Sequence, residues 1–408
     1  MPSCRICASS LSQTFVDLGF SPLANSYLKE EDLHRMEAHY PLHTYVCSNC
    51  MLVQLMEFES PKNIFSDYAY FSSFSDSWVQ HARVYANDMI DRWSLNGNSL
   101  VVEVASNDGY LLQWFKHRQI PVLGIEPAGN VAKAARLLGI PTRTEFLNAH
   151  TARQLHAEGV RADLIVANNV LAHVPDILGF LAGLKILLRP TGVITVEFPH
   201  VEKLIANAQF DTIYHEHFSY LSLVSLEHAF KIAGLAAFDV DILDTHGGSL
   251  RVFCRHSEDR SKTNGAGLSI LRQQEAAAGL QAISSYASFG PKVADIKSNL
   301  LSFLIRCRRS NKSVVAYGAP AKGNTLLNYC GVGPELLPFT VDRSPHKQGL
   351  YLPGTRIPIR APECIMQFRP DYVFILPWNL RDEISQQMSA IREWGGKFVV
   401  TIPSVEVF

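Results

Sequence analysis

Nowhere does this 408-residue chain approach the roughly 18 consecutive apolar residues that a membrane-spanning helix needs. The run from Ile177 to Leu188 is short and carries Lys185. The opening Met1-Pro2-Ser3-Cys4-Arg5 lacks the apolar core of a secretion signal. An excess of one charge is missing too: 37 lysines and arginines face 38 acids, for a net charge of -1. That balance offers no general attraction to nucleic acid or to an anionic membrane, so neither partner is expected. Eight cysteines are too few for a disulfide scaffold at this length. What is present is a globular composition, 47% hydrophobic and 18% charged, long enough for two or three domains.

Four of the cysteines form two Cys-x-x-Cys pairs, Cys4/Cys7 and Cys47/Cys50. Two thiolates at this spacing hold one edge of a tetrahedral zinc, and two such pairs close a Cys4 site with no position left for water. The expected role is structural, folding a small region short of core, and the free thiols imply a reducing, cytoplasmic setting. Next comes Asp67-Tyr68-Ala69-Tyr70-Phe71-Ser72-Ser73-Phe74, where aromatic faces with polar tips suit the wall of a pocket for a flat or cationic ligand. Ordinary packing at a domain junction would give the same letters. The pattern turns helical from Asp76 to Trp93 and stops at the turn residues Asn96-Gly97-Asn98.

From Ser99 the chain reads strand, tight turn, helix: Val101-Val102-Glu103-Val104, then Ala105-Ser106-Asn107-Asp108-Gly109. Small residues at Ala105, Asn107 and Gly109 allow close approach of backbone to a ligand. A second strand, Val122 to Ile125, ends in Glu126, placed to accept the hydroxyls of a ribose. A third, Asp163 to Ala167, ends in Asn168, a further candidate for cofactor contact. Alternating strands and helices predict an α/β fold with a doubly wound parallel sheet. The dinucleotide fingerprint G-x-G-x-x-G is absent from the turn, which argues against a hydride carrier.

A further apolar strand, Val193 to Phe198, leads to Tyr214-His215-Glu216-His217, four successive residues able to donate, accept or move a proton. A His-x-His metal pair at His215 and His217 is compatible with the letters, although the knuckle cysteines already satisfy one zinc. Later, Val314-Val315-Ala316-Tyr317-Gly318-Ala319-Pro320-Ala321-Lys322-Gly323-Asn324 repeats the strand-turn-helix grammar with a lysine in the turn, an arrangement suited to diphosphate. Lys322, with Asn324 beside it, is a substrate-binding candidate. Asp342 and Asn379, at the ends of later apolar strands, are placed to contact a nucleoside.

Seven motifs occur in order: the Cys-x-x-Cys pairs, Tyr-Ala-Tyr-Phe-Ser-Ser, Glu-Val-Ala-Ser-Asn-Asp-Gly, Ala-His-Val-Pro-Asp, Tyr-His-Glu-His-Phe-Ser-Tyr, His-Gly-Gly-Ser-Leu-Arg and Gly-Ala-Pro-Ala-Lys-Gly-Asn-Thr. Over essentially the whole chain this resembles the nucleotide-sugar C-methyltransferases of deoxysugar biosynthesis. The Glu103 to Gly109 turn resembles the first motif of class I S-adenosylmethionine-dependent methyltransferases, with Ala105 and Asn107 in place of two glycines. The resemblance implies a zinc domain over 1–70, a methyltransferase domain over 71–260, a helical linker over 261–309 and a Rossmann-like sugar-nucleotide domain over 310–408. It implies methylation at C-3 of a dTDP-linked 4-keto-deoxysugar, with S-adenosylmethionine held by Tyr68, Tyr70, Glu103, Ala105, Asn107, Gly109, Glu126 and Asn168. It also implies that His217 is the base, that Tyr214, Glu216 and His173 surround the sugar, and that His246 and Gly247 sit at the pocket rim. Two letters stay ambiguous: His173 is placed to cap the helix after it, and Gly247-Gly248 to make a plain hairpin turn. Methylation of oxygen or nitrogen, and nicotinamide-dependent oxidation of a sugar, are the competing chemistries.

Overall fold

The computed structural model describes residues 2–65 and 72–408. Tyr68 and Tyr70 lie outside the described residues. The chain divides into two compact units. The first contains residues 1–12, 47–201 and 218–283, and the second residues 13–46, 202–217 and 284–408. Among the described residues no helix is long and apolar enough to cross a membrane.

The first unit is organised on a seven-stranded sheet whose strands are β1 Val101–Val104, β2 Val122–Ile125, β3 Thr142–Arg143, β4 Ala162–Asn168, β5 Leu188–Pro199, β6 Leu235–Leu243 and β7 Ser249–His256. Their spatial order is β6-β7-β5-β4-β1-β2-β3. Neighbours are parallel except at β7, which runs antiparallel to both β5 and β6. Every residue of β1 is buried, as a parallel strand covered on both faces requires. The chain leaves β1 toward β2 on one side and returns to β4 on the other. Open α/β sheets bind ligands at such a reversal, beyond the carboxyl ends of the strands.

Helix Asp76–Trp93 packs Ala82, Tyr85, Ala86 and Met89 into the core formed with Val101, Phe115, Leu164 and Phe253. That three-and-four spacing is the periodicity visible in the sequence. The Ser75 hydroxyl caps the helix by accepting from the Trp78 N–H at 3.4 Å, and Ser94 ends it with a left-handed φ of 52°. β3 has two residues, too few to show any hydrophobic period, and its pattern is absent from the sequence reading.

The second unit has its own sheet: β8 Val314–Tyr317, β9 Thr340–Val341, β10 Ile359–Arg360, β11 Tyr372–Ile375, β12 Lys397–Val400 and β13 Glu406–Val407. The order is β10-β9-β8-β11-β12-β13, parallel apart from β13. It too is doubly wound, with the reversal between β8 and β11. Helix Phe289–Arg309 buries Phe289, Val293, Ile296, Leu300, Phe303, Leu304 and Cys307 along one stripe. Pro291 falls in its first turn, where a missing N–H breaks no helical bond. The antiparallel pair Gln13–Ser21 and Tyr40–Val46 belongs to this unit, and Phe15 stacks on Phe289 with ring centroids 4.4 Å apart.

Candidate active site

In the first unit the turn after β1 takes positive φ at Ala105 (56°), Asn107 (49°) and Gly109 (83°). Ala105 and Asn107 therefore keep the backbone that glycine adopts most easily; for Ala105 this costs about 1 kcal/mol. At Gly109 the left-handed φ strains any side chain, and a Cβ would stand 2.4 Å from Ile140 Cδ1, which would have to move. Glu126, at the end of β2, fastens the turn: one carboxylate oxygen accepts from Asn107 N–H at 2.9 Å and the other from Ala128 N–H at 2.8 Å.

Buried oxygens gather at the carboxyl ends of β1 and β4. Glu103 Oε2, Ser106 Oγ, Asp108 Oδ1 and Asn168 Oδ1 have no hydrogen-bond partner among the described residues. Burial, with Glu126 and Asp108 adding repulsion, pushes the Glu103 carboxyl well above the usual range. Burial also raises Glu126, against the two N–H groups it accepts from. Such a cradle wants a ligand rich in donors and positive charge. S-adenosylmethionine offers an ammonium, ribose hydroxyls, an adenine amino group and a sulfonium, so the residues fit it.

Further along the same sheet edge lies a group that sequence reading missed. Glu197, near the end of β5, is wholly buried and accepts from His81 Nε2 at 3.1 Å and from Arg251 Nη2 at 3.0 Å. Burial pushes its carboxyl up, but these hydrogen bonds prevail and hold it below its ordinary value. The Trp78 ring stacks on His81 at 4.8 Å and touches Tyr110, after the donor turn, and His246. Two signals were available: a lone acid inside an apolar strand, and the arginine that closes His-Gly-Gly-Ser-Leu-Arg. His246 and Gly247 lie in the loop joining β6 to β7, at φ of 54° and 86°. His173 ends the short turn Leu171–His173 and does not cap the next helix; Asp176 does, accepting from Gly179 N–H at 2.9 Å.

In the second unit Phe210–Thr212 forms a single tight turn leading to Tyr214-His215-Glu216-His217. His217 Nδ1 lies 2.8 Å from the Thr212 carbonyl oxygen. A carbonyl can only accept, so Nδ1 carries the proton and Nε2 is left as the basic nitrogen. The Tyr214 ring packs against the imidazole, centroids 4.0 Å apart. Glu216 is buried and accepts from Asn25 Nδ2 at 2.6 Å; burial, with that bond opposing, pushes its carboxyl up to about 7. His215 turns to the fold, its Nε2 3.3 Å from the Pro41 carbonyl and its ring edge-on to Tyr40.

The turn after β8 borders the same segment. Lys322, second residue of helix Ala321–Cys330, donates to Asn379 Oδ1 at 2.8 Å and lies over the Trp378 ring. Burial lowers its ammonium, with Asp211 opposing. Asp342, just past β9, accepts from Ala319 N–H at 2.7 Å and Ser344 N–H at 2.8 Å. Asn324 is buried and its amide donates to the Ala24 carbonyl at 2.6 Å. Tyr27 Oη donates to the Ala319 carbonyl, which also receives Lys347 Nζ at 2.9 Å. Asn25, Tyr27 and Lys347 went unread because single polar residues in a loop carry no period.

Back in the first unit, the two cysteine pairs are conformational copies. In each, the first cysteine's carbonyl accepts from the residue four ahead (Ala8, Met51), and its N–H donates to the carbonyl five ahead (Ser9, Leu52). Ala8 and Met51 are both left-handed, φ 57° and 58°. All four sulfurs lie within 4.8 Å of one another, with Cys4–Cys50 and Cys7–Cys47 at 3.5 Å. A tetrahedral ZnS4 centre sets its sulfurs about 3.8 Å apart, so the two 3.5 Å pairs need widen only slightly and the longer separations contract.

The strand order with its single antiparallel member, the turn after β1 and the acceptor cradle define a class I S-adenosylmethionine-dependent methyltransferase. Family models match in three places: "Putative zinc binding domain" over residues 4–65, "Methyltransferase domain" over 78–239, and "C-methyltransferase C-terminal domain" over 244–403. The chain is 35% identical over 404 residues to C-methyltransferase NovU of Streptomyces niveus, covering 99% of this chain and 96% of that one. Among solved structures, magnesium protoporphyrin IX methyltransferase of Synechocystis PCC 6803 with bound SAH covers 44% of this chain and 83% of its own, at 13% identity and a TM-score of 0.36. A SAM-dependent methyltransferase of Archaeoglobus fulgidus covers 42% and 93%, at 11% identity and a TM-score of 0.34. The chain belongs to the S-adenosylmethionine-dependent C-methyltransferases. S-adenosylmethionine is its methyl donor, and the N-terminal cysteines are its zinc site.

Proposed function

We propose that this enzyme methylates C-3 of a dTDP-linked 4-keto-deoxysugar through an enolate, with His217 as the base. One observation carries the reading. The hydrogen bond from His217 Nδ1–H to the Thr212 carbonyl makes Nε2 the proton-accepting nitrogen of the neutral imidazole, whose ring packs against Tyr214. A carbon next to a ketone gives up a proton only to a well-placed base, and a histidine titrating near neutrality suits that task.

S-adenosylmethionine supplies an electrophilic methyl group on a sulfonium. His217 Nε2 takes the C-3 proton, the electron pair of that bond becomes the enolate, and C-3 then accepts the methyl as the carbon–sulfur bond breaks toward sulfur. The oxygen at C-4 gains negative charge on the way and needs a donor. Glu216, protonated up to about pH 7, and the Tyr214 hydroxyl are such donors. His173 is the remaining polar group we assign to the sugar. Glu103, Ala105, Asn107, Gly109, Glu126 and Asn168 hold the methyl donor. His246 and Gly247 border the sugar, and Lys322, Asn324 and Asp342 the nucleotide. Among these three, Lys322 has the chemistry for diphosphate, whereas Asn324 already donates to the Ala24 carbonyl and Asp342 already accepts from Ala319 N–H in the turn.

The test is to incubate the protein with S-adenosylmethionine and a dTDP-4-keto-6-deoxysugar in deuterated water, with wild type and His217→Ala side by side. Wild type is expected to methylate C-3, and the variant to lose both methylation and deuterium exchange at that carbon by 100-fold or more, on the order of a lost general base. Full activity of the variant removes His217 as base, and methylation at another atom removes the substrate reading.

A further inference from the structure

Asp211 has no part in the chemistry just described, yet it is fully buried in the turn that feeds the base. A buried carboxyl is a poor way to stabilise a fold, since an apolar side chain of similar size usually does better. Its side-chain donor is the indole of Trp378, whose Nε1–H reaches Oδ2 at 2.7 Å. Burial pushes the Asp211 carboxyl up to about 6, with Lys322 and the Trp378 indole opposing.

The turn around it is otherwise closed. Ile213 N–H donates to the Phe210 carbonyl at 3.0 Å, and the Thr212 hydroxyl donates to the Gln209 carbonyl at 2.7 Å. Thr325 Oγ1 donates to the Ile213 carbonyl at 3.0 Å. One group points the other way: the Thr212 carbonyl oxygen, which receives His217 Nδ1–H at 2.8 Å. The peptide joining Asp211 to Thr212 and the next one thus fix which edge of the imidazole is protonated. Trp378 follows β11 and fixes Asp211 from a rigid sheet edge.

We propose that Asp211 is the positioning residue of the base: anchored by Trp378, it sets the Phe210–Thr212 turn so that the Thr212 carbonyl holds His217 in its Nδ1–H tautomer. Asp211 touches no substrate and acts only through His217. This rests on the reading of His217 as base. A displacement of the carbonyl by about 1 Å would leave binding intact and slow proton abstraction by 10- to 100-fold.

The experiment uses the full-length enzyme with S-adenosylmethionine and a dTDP-4-keto-6-deoxysugar. Asp211→Ala and Trp378→Phe each cut the anchor, while Asp211→Asn keeps an oxygen for the indole. The first two are expected to lower kcat 10- to 100-fold with KM for the methyl donor unchanged within twofold, and Asp211→Asn to restore most of it. In a His217→Ala background neither anchor change is expected to lower the residual rate further. Imidazole nitrogen shifts of His217 should move toward the Nε2–H tautomer in Asp211→Ala; should that variant fail to fold, Trp378→Phe carries the same readings. Wild-type kcat in the anchor variants, or an equal loss with and without His217, overturns the inference. If His217→Ala alone keeps full activity, the base reading has failed, a result distinguishable from failure of Asp211 as its anchor.

Discussion

Glu216 holds its proton longer than a solvated acid does, because burial disfavours the charge more than the Asn25 amide favours it. Below about pH 4.5 the folded and unfolded chains both carry that proton, and an amide in its place changes nothing electrostatic. Between there and about pH 7 the folded chain alone keeps it, so stability falls as pH rises. Above about 7 the full penalty is present, roughly 3 kcal/mol from the size of the shift. Glu216→Gln, which still accepts from Asn25, is therefore expected to be more stable than wild type by about 3 kcal/mol at pH 8 and by little at pH 4. Urea unfolding at both pH values reads the difference. A gap that does not widen with pH means that the folded protein holds Glu216 ionised. The stretch itself was legible in the sequence, since four ionisable residues in a row beyond a strand are rare enough to notice. Asp211 stood at its head with no visible role, because nothing in the letters says that an indole 167 positions later will meet it.

At the scale of elements, the zinc knuckle does more than order its own loops. Arg5, between Cys4 and Cys7, extends its guanidinium to the carbonyls of Leu55 and Phe218 and to Ser219 Oγ at 3.2 Å. Leu55 and Ser219 belong to the antiparallel pair Val53–Leu55 and Ser219–Tyr220, and Phe218 immediately precedes its second strand, which follows His217 in the chain. Release of the metal lets four thiolates repel and frees two left-handed knuckle residues, Ala8 and Met51. Cys47→Ser is expected to lower zinc content to background, to destabilise the protein by several kcal/mol, and to reduce kcat through the strand that follows His217. Metal analysis, thermal unfolding and single-turnover methylation read the three effects. Zinc loss with unchanged stability removes the structural role. The cysteines announce themselves by spacing, and the helix from Asp76 to Trp93 by its period. Glu197 did not, because an acid within Val193 to Phe198 reads as one exception in an apolar strand until His81 and Arg251 are found beside it.

At the scale of the molecule, the order of the chain is not the order of its units. Residues 13–46 and 202–217 belong with 284–408, although each is bounded by segments of the other unit. Strand and helix periods report which face is buried and say nothing about which distant segment buries it. The hairpin of Gln13–Ser21 and Tyr40–Val46 makes the point. Phe15, 2% exposed, lies face to face with Phe289 and edge-on to Tyr286, so an N-terminal ring forms part of the seat of helix Phe289–Arg309. Asn324 and Thr325 in the C-terminal unit likewise satisfy the carbonyls of Ala24 and Ile213. If the hairpin is integral to that core, Phe15→Ala removes a ring that the helix cannot replace and costs about 3–5 kcal/mol. Amide hydrogen exchange on the full-length protein should then show protection falling in Phe289–Arg309 as well as in residues 13–46, because one cooperative unit opens together. Loss confined to residues 13–46, with the helix protected as before, would mean that the hairpin is a satellite of the unit rather than part of its core.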